Sequence, residues 1–341
     1  VANSLNNKQD MQCIKRGKVV IVLAVILIMT ASWGFLVHRT IHQLAIYELP
    51  DGMVPFFYQN MDYLVSNAPR PDMRRNQDST EASKHFIDLE MYENGKGNKM
   101  PEDWQSAVKI YTKDSLLKYG YLPYHIIYMK GKLTEAFKSG NKDSILFYAT
   151  DMGHYIGDAN VPLHTTTNYD GQLTNQKGLH SLWESTIPEL ELENYNLYSP
   201  HKASYLKKPT AAIWEAIRRA AALVPDMLQK EKEVSAGFTD AQKFRTQIRR
   251  GAESKSYTTE FARAYAAALK GTINAQLLHS ADLIADFWYT SWVDAGKPDL
   301  LGITPNWTKE MSEKLKNELG IFSANKLLEN KLLLSRKPET R

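Results

Sequence analysis

Apolar residues recur along this chain at intervals of three and four, the spacing that gathers them on one face of an α-helix. Leu36, Ile41, Leu44, Ala45 and Leu49 form the first such stripe, closed by Pro50-Asp51-Gly52. A second helix is expected over 54–67, stopped by Pro69 and Pro71, and two more over 102–119 and 124–139, separated by Gly120 and Pro123. Asn141 to Ser144 cap a further helix that turns Ile145, Tyr148, Ala149, Met152 and Ile156 inward. Past 184 the pattern predicts helices over 209–232, with Trp214, Ile217 and Ala221 in line, and over 257–293, with Leu277, Ala281, Ile284, Trp288 and Trp292. Gly296 and Pro298 end the latter, and 309–334 reads as one or two helices with charged faces. No stretch of any length has strand period, and there is no internal repeat, glycine-rich phosphate loop or Gly-x-Ser-x-Gly elbow. The expectation is an all-α protein with a single multi-helix domain over 33–341.

The first 32 residues read differently. Residues 1–10 are polar, and Met11 is the expected start of translation. Lys15, Arg16 and Lys18 precede an unbroken apolar run over 19–29, and Thr30-Ala31-Ser32 supplies small residues for cleavage, the layout of a secretory signal. Cleavage after Ser32 leaves Trp33 at the new N-terminus and places the protein outside the cell or in a periplasm. The competing reading is an uncleaved anchor, because 19–37 nearly reaches the roughly 20 residues that span a bilayer.

The chain carries 42 basic and 38 acidic residues, of which residues 1–32 hold four and one, so the remainder is close to neutral at about +1. Bulk charge would not hold a nucleic acid. The single cysteine, Cys13, lies before the apolar run, so the mature chain has no disulfide.

Candidate chemistry concentrates between residues 154 and 184. The segment reads His154-x3-Asp158-x5-His164-x15-His180-x3-Glu184. Pairs four apart lie one turn above each other on a helix. Imidazole nitrogen and carboxylate oxygen are the ligands of zinc, so each pair is half a site, and five such residues exceed what one ion needs. Asp158 and Asp151 share the face of His154, and Asp151 is a candidate partner of that ring. Upstream, His38 and His42 share one helix face. Taken alone, Asp72 reads as a turn acid and His85 as a partly buried histidine whose second nitrogen Asp88 could orient. His42, His125, His201 and His279 read as structural or surface residues.

Together these residues resemble the bacterial zinc-dependent phospholipases C, which share an all-helical fold and a three-zinc site with the zinc nucleases that cut single strands. HYIGDANVPLH, at 154–164, looks like the phospholipase signature. The resemblance runs over residues 33–185. It implies a trinuclear zinc centre: His85, His154, Asp72 and a bridging Asp158 on one ion, His164, His180 and Glu184 on a second, and the α-amino and carbonyl groups of Trp33 with His38 and Asp158 on a third. Asp72 is either a ligand or the base that takes a proton from the attacking water.

The same residues divide the two relatives. The five-residue spacing from Trp33 to His38 is nuclease-like, whereas an acid of the Glu184 type is phospholipase-like; the 168–178 loop lacks the nucleases' Gly-Gly-Asn, and HTTTN departs from the phospholipases. The expected activity is phospholipase C-like hydrolysis of a phospholipid headgroup, with peripheral membrane contact. The alternatives are a single-strand nuclease releasing 5′-nucleotides, and a membrane-anchored helical bundle with structural zinc. Phe35, Phe86, Tyr92, Tyr155 and Tyr169 stand near ligands in sequence and would serve as a choline box or as base platforms. No feature calls for a protein partner.

Overall fold

A computed structural model describes residues 35–92, 99–249 and 252–336. The signal-like segment, Cys13 and Trp33 lie outside the described residues.

The described chain is predominantly helical. Its centre is helix α1 (Phe35–Tyr47), in which Ile41, Leu44, Ala45 and Ile46 are all inaccessible to solvent. A helix buried on nearly every side must be walled by others. Helix α2 (Met61–Asn67), helix α4 (Lys142–Asp158) and helix α7 (Thr272–Asp294) pack against it. Helix α3 (Leu122–Ser139) lies beside α4 and α7. Helix α5 (Pro209–Ser235) follows the expected 209–232 segment closely. The Trp288 ring of α7 stacks on Phe57 at 4.8 Å, and its indole N–H donates to Ala149 O of α4 at 3.0 Å. The tryptophan stripe read from the sequence is therefore core.

Helix α4 begins where Asn141 Oδ1 accepts from Ser144 N at 2.8 Å. Its last ten residues, 149–158, are all buried, and two glycines face α1. A Cβ on Gly153 would stand 2.5 Å from His42 Nε2, and one on Gly157 would stand 3.0 Å from His38 Nδ1. Glycine at these two positions permits the close approach of α1 and α4 that brings His38 beside His154.

Several boundaries differ from the sequence pattern. The expected 54–67 helix is interrupted at Asn60, and Pro71 stands within the first turn of a short helix, Arg70–Arg74, instead of ending one. The 102–119 segment breaks at Thr112 (φ 64°), whose hydroxyl accepts from Ser115 N and caps the next turn. The expected 257–293 helix is two: α6 (Thr259–Ala268), capped by Thr258, and α7, separated by positive φ at Lys270 and Gly271. Before α6 stands a hairpin, β1 (Phe244–Arg249) and β2 (Ala252–Tyr257), antiparallel with Phe244 opposite Tyr257. Its strands alternate almost entirely among polar residues, so no apolar period marked them. The pair at its open end, Phe244 and Tyr257, brings its rings to 4.9 Å and seats the hairpin on Phe261 of α6. Among the described residues, no helix is long and apolar enough to cross a membrane.

Candidate metal centre

Five short stretches converge at the C-terminal end of α4. His154 and Asp158 form its last turn, and His38 comes from α1. Asp72 sits on the Arg70–Arg74 turn, and His85 follows a 3-10 turn, Ala82–Lys84. His164 lies on a second 3-10 turn, Pro162–Thr165. His180 starts a helix at Leu179–Ser181 that widens into a π-turn, Leu182–Thr186, carrying Glu184. Such π-turns commonly mark functional positions.

Distances between these groups are compatible with donors around a metal ion. His38 Nε2 lies 3.5 Å from Asp158 Oδ1 and 3.6 Å from Glu184 Oε1. His85 Nδ1 lies 2.9 Å from Asp158 Oδ2 and 3.6 Å from Asp72 Oδ1. His154 Nε2 lies 3.4 Å from Asp158 Oδ2 and 3.9 Å from Asp72 Oδ1. His164 Nε2 and His180 Nε2 lie 3.6 and 2.7 Å from Glu184 Oε2. A tetrahedral ion with ligands at about 2.1 Å has ligand–ligand edges of about 3.4 Å. Most of these separations match that edge; the two shortest would open by about half an ångström or slightly more around an ion.

Proton positions make the stronger case. His154 Nδ1–H donates to Ala68 O at 2.9 Å, His164 Nδ1–H to His85 O at 2.6 Å and His180 Nδ1–H to Tyr169 O at 3.0 Å. A carbonyl can only accept, so in each neutral ring Nε2 is left with a bare lone pair. All three lone pairs face other acceptors. His164 Nε2 is buried without a hydrogen-bond partner, and His154 Nε2 stands 3.2 Å from His85 Nδ1. Acceptors facing acceptors in a buried site require protons or cations between them.

The electrostatics agree. Burial would raise the Asp158 carboxyl, but His154, His164 and His85 outweigh it and hold it well below the usual carboxylate range. Glu184 is likewise held low despite burial, chiefly by His180. Burial favours the neutral ring at His85 and His180, yet the carboxylates they touch push both up to about 9. Burial and the Asp158 charge raise Asp72. Three carboxylates thus draw protons onto their imidazoles, and a bound cation would displace those protons.

The arrangement can hold metal ions. Three groups bring their donors together: His38, His154 and Asp158; Asp72, His85 and His154; and His164, His180 and Glu184. Every described member of the predicted ligand set is therefore in the cluster; Trp33 alone lies outside the described residues. Asp158 turns Oδ2 to His85 and His154 and Oδ1 to His38, as a bridging carboxylate does. Glu184 also spans two sides, with Oε1 toward His38 and Oε2 toward His164 and His180, which the sequence pattern did not anticipate.

The supporting residues differ from expectation. Asp88 does not orient His85; its backbone N–H bonds Tyr119 O, and Glu81 Oε1 stands 3.4 Å from His85 Nε2 instead. Asp151 does not reach His154 but pairs with Arg70 at 2.6 Å and Arg74 at 2.9 Å. Tyr92 and Tyr155 are not rim platforms. Both are buried, with hydroxyls donating to Gly120 O and Glu81 respectively. Tyr169 is exposed, with its carbonyl on His180, and Phe35 and Phe86 are half-buried. His42 is structural as expected, its ring held between His38 O and Thr150 O. Burial lowers it to about 4, so the neutral ring donates to one of these two carbonyls at a time. Glu81 precedes His85 by four residues, the interval of the other two His/acid pairs, so a signal for it was present in the sequence.

Fold and site together define a helical protein with a largely buried cluster of imidazoles and carboxylates that could hold a metal ion. Comparison with models of known protein families and with characterised proteins finds no match for the chain.

Proposed function

We propose that this chain is a zinc-dependent phosphodiester hydrolase of the phospholipase C type, secreted after cleavage before Trp33 and holding three zinc ions. The observation that carries the reading is Asp158, whose Oδ2 faces His85 and His154 while its Oδ1 faces His38, so that it can bridge neighbouring ions. Imidazole and carboxylate donors suit zinc. Zinc held there activates water at neutral pH and neutralises charge on phosphoryl oxygens.

On this reading His85, His154, Asp72 and Asp158 hold one ion, His164, His180 and Glu184 the second, and His38, Asp158 and the Trp33 terminus the third. Asp72 is the accessible carboxylate of its group, with a side chain 26% exposed. That exposure lets it serve either as a ligand or as the base that takes a proton from the attacking water. The partly exposed His180 and Tyr169 mark the side from which substrate enters. A near-neutral mature chain favours a phospholipid headgroup over a polynucleotide.

One observation favours a nuclease. Arg75, 47% exposed, places Nη1 3.5 Å from Asp72 Oδ1, a permanent cation at the mouth that a polyanion would use and a choline headgroup would not. Zinc-loaded protein beginning at Trp33, offered phosphatidylcholine and single-stranded DNA in parallel, tests both. Release of phosphocholine with intact DNA supports the phospholipase. Release of 5′-nucleotides with intact lipid replaces it by the nuclease. Cleavage of neither by zinc-loaded protein overturns both, leaving a bundle with structural zinc.

A further inference from the structure

Glu81 is a fully buried carboxylate that the proposed chemistry leaves without a task. Its Oε2 accepts from Arg74 Nε at 3.1 Å and Lys84 Nζ at 2.7 Å. Its Oε1 accepts from Arg74 Nη2 at 3.2 Å and from the Tyr155 hydroxyl, and faces His85 Nε2 at 3.4 Å. That nitrogen is buried without a hydrogen-bond partner, and the Glu81 carboxylate is what it faces. The Tyr155 ring, at 5.2 Å and steeply inclined, fixes the plane of His85 from beside it. The ion pairs with Arg74 and Lys84 hold the group as a carboxylate.

The other anchored rings are held differently. His154, His164 and His180 each donate Nδ1–H to a neutral backbone carbonyl and present Nε2 to the centre. His85 is reversed: it presents Nδ1 to Asp158 and turns Nε2 toward the Glu81 carboxylate. Burying that charge requires two compensating cations, Arg74 and Lys84, far more machinery than a hydrogen-bond anchor needs. A carboxylate on the remote nitrogen fixes the tautomer and makes the near nitrogen a stronger donor than a carbonyl can.

We infer that Glu81 is a positioning residue that selects Nδ1 of His85 as the donor and makes the Asp72–His85–His154–Asp158 position the tightest metal site of the centre. This inference rests on the metal reading above but not on which phosphodiester is cut. Glu81 touches no reacting atom; it acts through His85.

The test is removal of zinc from the loaded protein by a graded chelator, with ions counted by native mass spectrometry. The last ion to leave wild-type protein should be the one lost first from Glu81→Gln, its affinity lowered about 10- to 100-fold with the remaining positions unchanged. Asp151→Asn, which disturbs the same Arg70/Arg74 network without touching His85, should leave the order of release as in wild type. Equal release from wild type and Glu81→Gln overturns the inference alone. So does loss of the same ion from Asp151→Asn, since the effect would then belong to the network. Wild-type protein that takes up no zinc overturns the metal reading and the inference together. Should Glu81→Gln fail to fold, the wild type still decides: nitrogen-15 spectra of the zinc-loaded protein should show His85 protonated at Nε2, with His154, His164 and His180 protonated at Nδ1. His85 protonated at Nδ1 contradicts the assignment.

Discussion

Replacing Gly153 by alanine should destabilise the protein, although the same change in an exposed helix stabilises. Alanine in mid-helix is favoured over glycine by about 0.5–1 kcal/mol. At Gly153 the new methyl would stand 2.5 Å from His42 Nε2 and 3.0 Å from Cε1. His42 cannot swing aside freely, because its ring nitrogens meet His38 O at 2.6 Å and Thr150 O at 2.9 Å. Ordinary contact requires about 1 Å of separation between α1 and α4 or loss of a buried hydrogen bond. Overpacking of that kind costs about 1–3 kcal/mol, and an unsatisfied buried polar group about the same. The net expectation is a loss of about 1–3 kcal/mol after the propensity gain. Gly131 is the control: it lies within α3, and a Cβ there meets nothing within 4 Å. Gly131→Ala should gain about 0.5–1 kcal/mol. Equilibrium urea unfolding of both variants, followed by circular dichroism with chelator present to remove metal linkage, gives the two signs directly. A Gly153→Ala protein as stable as wild type would refute the close approach of α1 to α4, and with it the placement of His38.

Three other expectations follow from the same geometry. Asp158→Asn removes the bridging charge and should weaken zinc binding more than about 100-fold at the positions it joins, read as metal content after dialysis; full zinc content would contradict the bridge. Glu48 is buried at the end of α1 with neither oxygen hydrogen-bonded, and burial, then Asp282 and Asp286, push its carboxyl up to about 10 despite nearby Lys202. Folded protein thus holds a proton there that the unfolded chain releases above about pH 4.5, so this contribution to stability is lost as pH rises through 10. Glu48→Gln should flatten the fall in stability between pH 5 and pH 9 in urea titrations, and an unchanged slope would refute the assignment. If single strands are cut, Arg75→Ala should lower the salt dependence of DNA binding by about one unit of slope, measured by fluorescence anisotropy; an unchanged slope removes Arg75 from the phosphate path.

Helix period made most of the fold legible. The stripes through Ile41 and Leu44, through Ala149 and Met152, and through Ile284 and Trp288 are buried where they were expected. Local conformational devices were not legible. Thr112 at positive φ and the Lys270-Gly271 step end helices inside continuous apolar patterns. The hairpin at Phe244–Tyr257 has almost no apolar face to announce it. The clustered imidazoles and carboxylates were legible because their residue types and spacing are those that metal donors take. Their supports were less so, since backbone carbonyls such as Ala68 O and Tyr169 O leave no mark in a side-chain pattern. Glu81 did leave one, but Asp88, nearer His85 in sequence, was the more obvious choice; the 3-10 turn over Ala82–Lys84 brings Glu81 to the ring instead.

The most direct test of the central claim is a crystal structure of zinc-loaded protein beginning at Trp33, with data collected on both sides of the zinc absorption edge. Three anomalous peaks are expected: one among Asp72, His85, His154 and Asp158, one among His164, His180 and Glu184, and one beside His38 and Asp158. Absence of peaks at these side chains, in protein that has been offered zinc, would contradict a metal centre at the end of α4.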